Sequence, residues 1–293
     1  MSMETSGADE SLLRGTSPSE KRGLDGSQGA TLRAGSWLRS YLLRLLPVAM
    51  IAFIVIIWIV ASDLHLVSPL AVPSPAAVWR EWHLLVTIGY AGQSFSSDVL
   101  LSVMRIGIGF FGALVIGVPV GIFMATNQWI YRTIDPILQF VRPVPPLAYI
   151  PLLVVWFGIG ESSKVILIIL GTIPIIIIST AAGVSQIPDQ RIRVAKCLGA
   201  TRTQILRHVV LPSVLPAIFT GMRVGIGVAW TCLVAAEMIA ASAGLGWLIQ
   251  DAGQELQVSI IFIGIIAIGV LGYAMELVIR ALEHVVVPWR SYL

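Results

Sequence analysis

Hydrophobic runs long enough to cross a lipid bilayer recur along the chain, with short polar segments between them. A helix rises about 1.5 Å per residue, so about 20 apolar residues span the hydrocarbon core. The predicted spans are residues 45–62, 106–126, 137–157, 165–184, 216–240 and 256–275. We expect the second to begin a turn or two earlier, near Asp98. The pattern predicts an all-α integral membrane protein with six transmembrane helices.

Composition agrees with this prediction. Only 12% of the 293 residues are charged, against about 25% in a typical soluble domain. Hydrophobic residues make up 56% of the chain, and the mean hydropathy is +0.87. A soluble core could not hide so much apolar surface, which argues against a soluble enzyme, a disordered protein or a nucleic-acid-binding protein.

The distribution of Lys and Arg predicts the orientation. Fourteen of them fall in the two termini and in the segments 127–136 and 185–212, whereas the opposite loops hold only Arg80 and Lys164. Because cytoplasmic loops carry the excess of Lys and Arg, both termini and the 185–212 loop are predicted to be cytoplasmic. Residues 1–36 are polar and lack a hydrophobic period, which predicts a disordered cytoplasmic tail.

Motifs for chemistry are absent or incomplete. The G-x-G-x-x-G match at Gly107, Gly109 and Gly112 lies inside a predicted span, where close helix packing is the better interpretation. The segment from Gly158 to Lys164 lacks the second glycine of a phosphate loop and is interpreted as a turn outside the membrane. We therefore expect no catalytic residue, no metal site and no bound cofactor.

Charged residues within or beside spans are candidates for a translocation path, because burying charge in lipid is expensive. The candidate path residues are Arg105, Arg142, Tyr149, Arg223 and Glu237. The functional interpretation is an electropositive path for an anion. The structural alternative is that these arginines pair with Asp98, Glu237 or lipid headgroups.

The loop 185–212 predicts two short helices joined at a glycine. Pro188-Asp189 opens the first helix with Asp189 as its N-cap, and Gly199 ends it in a left-handed conformation. Thr201 and Gln204 form a capping box for the second helix, which Pro212 ends. Two capped basic helices on the cytoplasmic side indicate a docking surface for a soluble partner.

This loop resembles the "EAA" loop of binding-protein-dependent ABC importer permeases. The family's E-A-A, its Gly and its Leu-Pro correspond to Arg193-Val194-Ala195, Gly199 and Leu211-Pro212. Arg193 replaces the glutamate and Val194 the first alanine, which puts any role of that carboxylate in doubt. The resemblance implies that ATPase coupling falls on Arg193, Ala195, Lys196, Leu198, Gly199, Ala200, Thr201, Leu211 and Pro212.

The resemblance covers about 37–289 and is closest to the nitrate, sulfonate and taurine branch. It rests also on Arg142-Pro-Val-Pro-Pro-Leu-Ala-Tyr-Ile-Pro151, on Trp156-Phe-Gly-Ile-Gly-Glu161, and on Ala235-Ala-Glu-Met-Ile-Ala240 with Gly244-Leu-Gly246. It implies a type I importer permease fold with a first helix and periplasmic segment at 37–97. A five-helix core at 98–282 and a cytoplasmic end at 283–293 follow.

The resemblance also implies function and partners. The chain is expected in the bacterial inner membrane as a homodimer, with two ATPase subunits that bind ATP-Mg and a periplasmic binding protein. The implied substrate is a small sulfonate anion, taurine first, with alkanesulfonate, nitrate or bicarbonate as alternatives. An ion-coupled secondary transporter and an integral-membrane enzyme are the competing classes; no inverted repeat or catalytic cluster supports them. Membrane lipid is an expected partner, and nucleic acid is not.

Overall fold

The computed structural model describes residues 46, 49–62, 64, 68 and 71–289. The predicted tail 1–36 and the last residues, 290–293, lie outside the described residues. The chain divides into two compact units, Met1–Leu66 and Val67–Leu293. In the first unit, helix α1 (Ala49–Ser62) is apolar and lies within the first predicted span.

In the second unit the described secondary structure is helical apart from an isolated bridge between Tyr90 and Gln93. The helices are α2 (Pro75–Thr87), α3 (Phe95–Thr126), α4 (Gln128–Val141), α5 (Ile150–Phe157), α6 (Glu161–Ser185), α7 (Asp189–Cys197), α8 (Arg202–Ile205), α9 (Leu211–Ala240), α10 (Leu245–Gln254) and α11 (Val258–Val286). A 3₁₀ turn, Pro146–Tyr149, precedes α5, and a π turn, Leu206–Val210, precedes α9.

Among the described residues, four helical segments are long and apolar enough to cross a membrane. They are Phe95–Thr126, Glu161–Ser185, the continuous segment Arg202–Ala240 and Val258–Val286. A fifth is present if α4 and the segment Pro146–Phe157 together form one span. The all-helical membrane fold is confirmed, whereas the number six remains a prediction.

The third predicted span, 137–157, is not a single straight helix. Helix α4 begins before it, and α4 meets the segment Pro146–Phe157 at an angle of 90°. Pro143, Pro145 and Pro146 have no N–H to donate, and a proline also disfavours helical backbone in the residue before it. These prolines therefore explain why the helix breaks between Val141 and Pro146.

Helix α6 packs along both α3 and α9, which also contact each other. A Cβ added to Gly109 of α3 would lie 2.7 Å from Ile168, and one added to Gly117 would lie 2.9 Å from Ile176. On α9, a Cβ on Gly221 would lie 2.6 Å from Ser179. Gly109 and Gly112 of the predicted packing motif are therefore in close helix contacts, whereas a Cβ added to Gly107 would meet no atom within 4 Å.

Candidate functional site

One face of the apolar helix α3 carries three buried polar side chains. Asp98 and Ser102 are fully buried, and Arg105 is 5% exposed. Their spacing of four and three residues places them on the same side of the helix. They meet the first turn of α6 and the last turns of α9. We call Asp98, Ser102, Arg105, Glu161, Lys164 and Glu237 the charge cluster.

Arg105 joins three parts of the fold through its guanidinium group. Its Nε and Nη2 donate to Oε2 and Oε1 of Glu161, at 2.6 and 2.7 Å. Its Nη1 donates to Oε1 of Glu237 at 2.7 Å and to the backbone carbonyl of Ala243 at 2.8 Å. This pairing satisfies both edges of a cation that is shielded from solvent.

Glu237, which is fully buried on α9, has hydrogen bonds to both carboxylate oxygens. The Ser102 hydroxyl donates to Oε1 at 2.8 Å, and the Gly246 backbone N–H donates to Oε2 at 2.8 Å. Together with Nη1 of Arg105, these donors compensate the loss of hydration that burial imposes on the carboxylate. Both oxygens of this buried carboxyl group therefore have hydrogen-bond donors.

The turn between α9 and α10 is held by three consecutive backbone N–H groups. Gly244 N–H donates to Oδ1 of Asp98 at 2.8 Å, and Leu245 N–H donates to the Ser102 hydroxyl at 3.0 Å. The third is Gly246, whose N–H reaches Glu237. Gly244 has φ +120°, and a Cβ there would lie 2.5 Å from Oε1 of Glu237, so the turn requires glycine.

Lys164 adds a second cation to the charge cluster. Its Nζ donates to Oε1 of Glu161 at 3.0 Å, and its side chain is 5% exposed. Lys164 also borders a small hollow whose other lining side chains are mostly apolar, among them Leu153, Ala236 and Ala240. The cluster thus joins the ends of α3, α6 and α9 beside a partly apolar recess.

The predicted path residues occupy three settings. Arg105 and Glu237 pair with each other in the charge cluster, as the structural alternative proposed. Arg142 is exposed at the end of α4, and Tyr149 is half-buried at the end of the 3₁₀ turn. Arg223 on α9 lies 3.8 Å from Oε2 of Glu283 on α11, and its Nε is buried without a hydrogen-bond partner among the described residues.

Sequence reasoning did not select Glu161 and Lys164, because both fall in a segment interpreted as an outside turn. The sequence feature that pointed to missing partners was the shared face of Asp98, Ser102 and Arg105 on an otherwise apolar helix. Such a face requires partners on neighbouring helices. The sequence pattern does not say which acid, more than fifty residues away, supplies the partner.

The loop 185–212 contains the two predicted short helices, with two differences. Pro188, not Asp189, is the N-cap of α7, and Asp189 is the first helical residue, where its charge still favours the helix dipole. Pro212 does not end the second helix: the π turn leads directly into α9, with Pro212 in its first turn. A proline is tolerated there because its missing N–H is not needed in a first helical turn.

The predicted joint between the helices is confirmed. Gly199 has φ +78°, the left-handed conformation that glycine adopts without a Cβ penalty. Thr201 and Gln204 form the capping box: Gln204 N–H donates to the Thr201 hydroxyl at 3.4 Å, and Thr201 N–H donates to Oε1 of Gln204 at 2.8 Å.

The two short helices have a packed side and an exposed side. Ala195 and Ala200 pack on a core cluster formed by Ile187, Ile205, Val210, Val214 and Ile218. On the other side Leu198 is 83% exposed and Val194 is 60% exposed, among the exposed basic residues Arg193 and Lys196. Exposed apolar side chains ringed by charge are typical of a protein-docking surface.

Comparison with known proteins decides the family. The family described as "Binding-protein-dependent transport system inner membrane component" matches residues 117–288, more than half of the chain. The chain belongs to this family. It is a permease subunit of an ABC transporter, a multi-pass inner-membrane protein whose relatives translocate substrates and do not catalyse reactions.

Relatives of the permease identify its branch. It is 42% identical over 250 residues to the taurine transport system permease protein TauC of Escherichia coli (strain K12), covering 84% of this chain and 90% of TauC. It is 33% identical over 255 residues to the putative aliphatic sulfonates transport permease protein SsuC of Bacillus subtilis (strain 168), covering 87% of this chain and 88% of SsuC. It is 32% identical over 248 residues to the nitrate import permease protein NrtB of Synechocystis sp., covering 83% of this chain and 89% of NrtB. The permease falls within the nitrate, sulfonate and taurine branch.

A solved structure supports the fold. The permease aligns with a chain of the MetNI methionine ABC transporter in an inward-facing crystal form, with a TM-score of 0.53 and 23% identity. The alignment covers 64% of this chain and 94% of that chain. The fold is therefore that of an ABC transporter permease.

Proposed function

We propose that this permease translocates a small sulfonate anion, taurine first, which a periplasmic binding protein delivers. The observation that carries the proposal is the 42% identity to TauC over 84% of the chain, against 33% and 32% to the aliphatic sulfonate and nitrate relatives. Alkanesulfonate, nitrate and bicarbonate are the alternative substrates. Each carries an anionic group, as taurine carries its sulfonate, so cationic side chains suit all of them.

The proposed complex contains two copies of this permease and two ATPase subunits, together with the binding protein. The permease itself holds no cofactor in this proposal, and ATP-Mg is bound by the ATPase. The exposed apolar pair Val194 and Leu198 supports docking of the ATPase on the 185–212 loop. A left-handed Gly199 sets the angle between α7 and α8 and hence which side chains meet the ATPase.

The proposed topology has six spans with both termini in the cytoplasm. Helix α1 would supply the first span, and α4 with α5 would supply the third as a bent pair. The excess of Lys and Arg in the termini and in the 185–212 loop supports this orientation. It puts the charge cluster at the periplasmic ends of α3, α6 and α9, and α7 with α8 at the cytoplasmic side.

Arg142 and Arg223 remain proposed path residues. Arg142 is exposed at the bend between α4 and α5, where irregular backbone is tolerated only when it is covered by protein or lines a cavity. Arg223 has a buried Nε donor without a partner among the described residues, and an anion would satisfy it. Arg105 already has two anionic partners, Glu161 and Glu237.

The test is uptake by the reconstituted complex with taurine, an alkanesulfonate, nitrate and bicarbonate. We expect ATP-dependent uptake of taurine at the lowest KM, unaffected by a proton uncoupler. Preferred uptake of nitrate or bicarbonate would reassign the substrate within the branch. Uptake that stops with the uncoupler but continues without ATP would show a secondary transporter instead.

A further inference from the structure

We infer that Arg105 and Lys164 form an anion-binding site that the carboxylate of Glu161 occupies in this structure, and that the sulfonate of the transported substrate replaces this carboxylate. The inference rests on the proposed function, since it assigns the sulfonate group of that substrate to a place on the permease. It adds Lys164 and Glu161 to the candidate path residues that were predicted from the sequence.

The donors of this site fit an oxyanion with three oxygens. Nε and Nη2 of Arg105 present two parallel N–H groups to Glu161, at 2.6 and 2.7 Å, and Nζ of Lys164 adds a third donor at 3.0 Å. A carboxylate must share one oxygen between Nη2 and Nζ. A sulfonate offers each of the three donors an oxygen of its own, and the guanidinium fork binds both groups in the same bidentate way.

The burial of the three side chains shows which partner can leave. The side chains of Arg105 and Lys164 are 6% and 5% exposed, whereas that of Glu161 is 60% exposed. Glu161 can therefore turn into water and regain its hydration, but the two cations cannot. When Glu161 leaves, Arg105 keeps its bond to Glu237, but Nε and Nη2 of Arg105 and Nζ of Lys164 lose their acceptor. Buried donors without an acceptor are unfavourable, so another anion is favoured in the place of Glu161.

Arg105 would stay in position during such an exchange. Its Nη1 is held by Glu237 and by the carbonyl of Ala243, on the side away from Glu161. Glu237 is itself fixed by Ser102 and by the N–H of Gly246. The guanidinium thus has one anchored edge and one edge whose partner is exchangeable, which is the arrangement that a reusable anion site needs.

A small recess with a mostly apolar lining lies beside Lys164. Apart from Ser163 and Lys164 its lining is apolar and comes from α5, α6 and α9.

The experiment measures binding of radiolabelled taurine to the purified permease–ATPase complex in nanodiscs, without the binding protein. Removing the competing carboxylate should strengthen binding, so Glu161→Gln and Glu161→Ser are each expected to lower the Kd at least tenfold. Adding Lys164→Gln to Glu161→Gln should reverse the gain. The matched control is Glu255→Gln, which removes an exposed carboxylate at the end of α10 and should leave the Kd unchanged.

The outcomes separate this inference from the proposed function. Wild-type uptake of taurine together with an unchanged or higher Kd in both Glu161 variants would overturn the exchange site alone. The same holds if Glu255→Gln lowers the Kd as much as Glu161→Gln, since the gain would then come from net charge. A wild-type complex that takes up no sulfonate would overturn the substrate assignment and this inference with it.

Discussion

Nη1 of Arg105 lies 2.7 Å from Oε1 of Glu237, although 132 positions separate the two residues in the chain. Neither side chain reaches solvent to any useful extent, since Arg105 is 5% exposed and Glu237 is fully buried. The pair joins α3 to α9 and, through Glu161, to α6. A charge pair of this kind fixes the relative position of three membrane helices at one end of the fold.

Removing the cation of this pair should destabilise the permease. Arg105→Met leaves Glu237 buried beside no guanidinium, which we expect to lower stability by about 3–5 kcal/mol. Thermal unfolding in detergent would show a clear loss. The double variant Arg105→Met/Glu237→Met should recover part of it. Arg80→Gln is the control, because Arg80 is 75% exposed and 3.9 Å from Glu81; a loss as large as that of Arg105→Met would contradict the role of burial.

A methyl group at Gly244 should disrupt the turn that closes the charge cluster. Its φ of +120° disfavours any side chain by about 1–3 kcal/mol, and the added Cβ would lie 2.8 Å from Nη1 of Arg105. Gly244→Ala is therefore expected to lower the unfolding temperature. Gly227→Ala is the matched control, because Gly227 lies in a helix and an added Cβ there would have no atom within 4 Å. An equal effect of the two substitutions would show that the turn carries no strain.

The left-handed joint in the 185–212 loop should matter for coupling more than for folding. Gly199→Val places a β-branched residue at φ +78°, which is expected to destabilise this conformation by about 1–2 kcal/mol and to shift α7 relative to α8. We expect normal membrane insertion but reduced co-purification of the ATPase or reduced substrate-stimulated ATP hydrolysis.

Gly199→Asn is the informative control for that experiment, because asparagine tolerates the left-handed conformation better than valine. It should retain most of the coupling. Wild-type coupling in a well-inserted Gly199→Val protein would show that the loop geometry is not what links ATP hydrolysis to transport.

The proposed orientation can be read from the native cysteines. Cys197 is exposed on α7, and Cys232 is buried in α9. A membrane-impermeant maleimide added to intact spheroplasts should leave the wild type unlabelled and should label Ser96→Cys, an exposed position at the start of α3. Permeabilisation should then expose Cys197. Labelling of Cys197 from outside would reverse the topology.

Features that depend on residues near one another in the chain were predictable. Long uncharged runs predicted the helices α3, α6 and α11, and the spacing of Thr201 and Gln204 predicted a capping box that the structure contains. Gly199 was predicted to be left-handed and is. The partners of such interactions lie within one helical turn of each other, so both can be identified from the sequence alone.

Even locally, the competition between neighbouring residues limited the prediction. Asp189 has the side chain of an N-cap, but Pro188 occupies that position and moves Asp189 into the helix. Pro212 has the chemistry of a helix breaker, yet a π turn before it leaves the helix continuous from Arg202 to Ala240. In both cases the position of the residue relative to the start of the helix determined the role of its side chain, and the identity of one residue does not fix that position.

The sequence by itself determined that α3 carries a polar face that must find partners within an apolar surrounding. Only the tertiary structure decided that these partners are Glu161 and Glu237, 56 and 132 positions from Arg105. The physical reason is that lipid makes an unpaired charge unfavourable without specifying its partner. The partner is chosen by which helix ends the packing of α3, α6 and α9 brings together, and that depends on glycine contacts and proline bends along the whole chain.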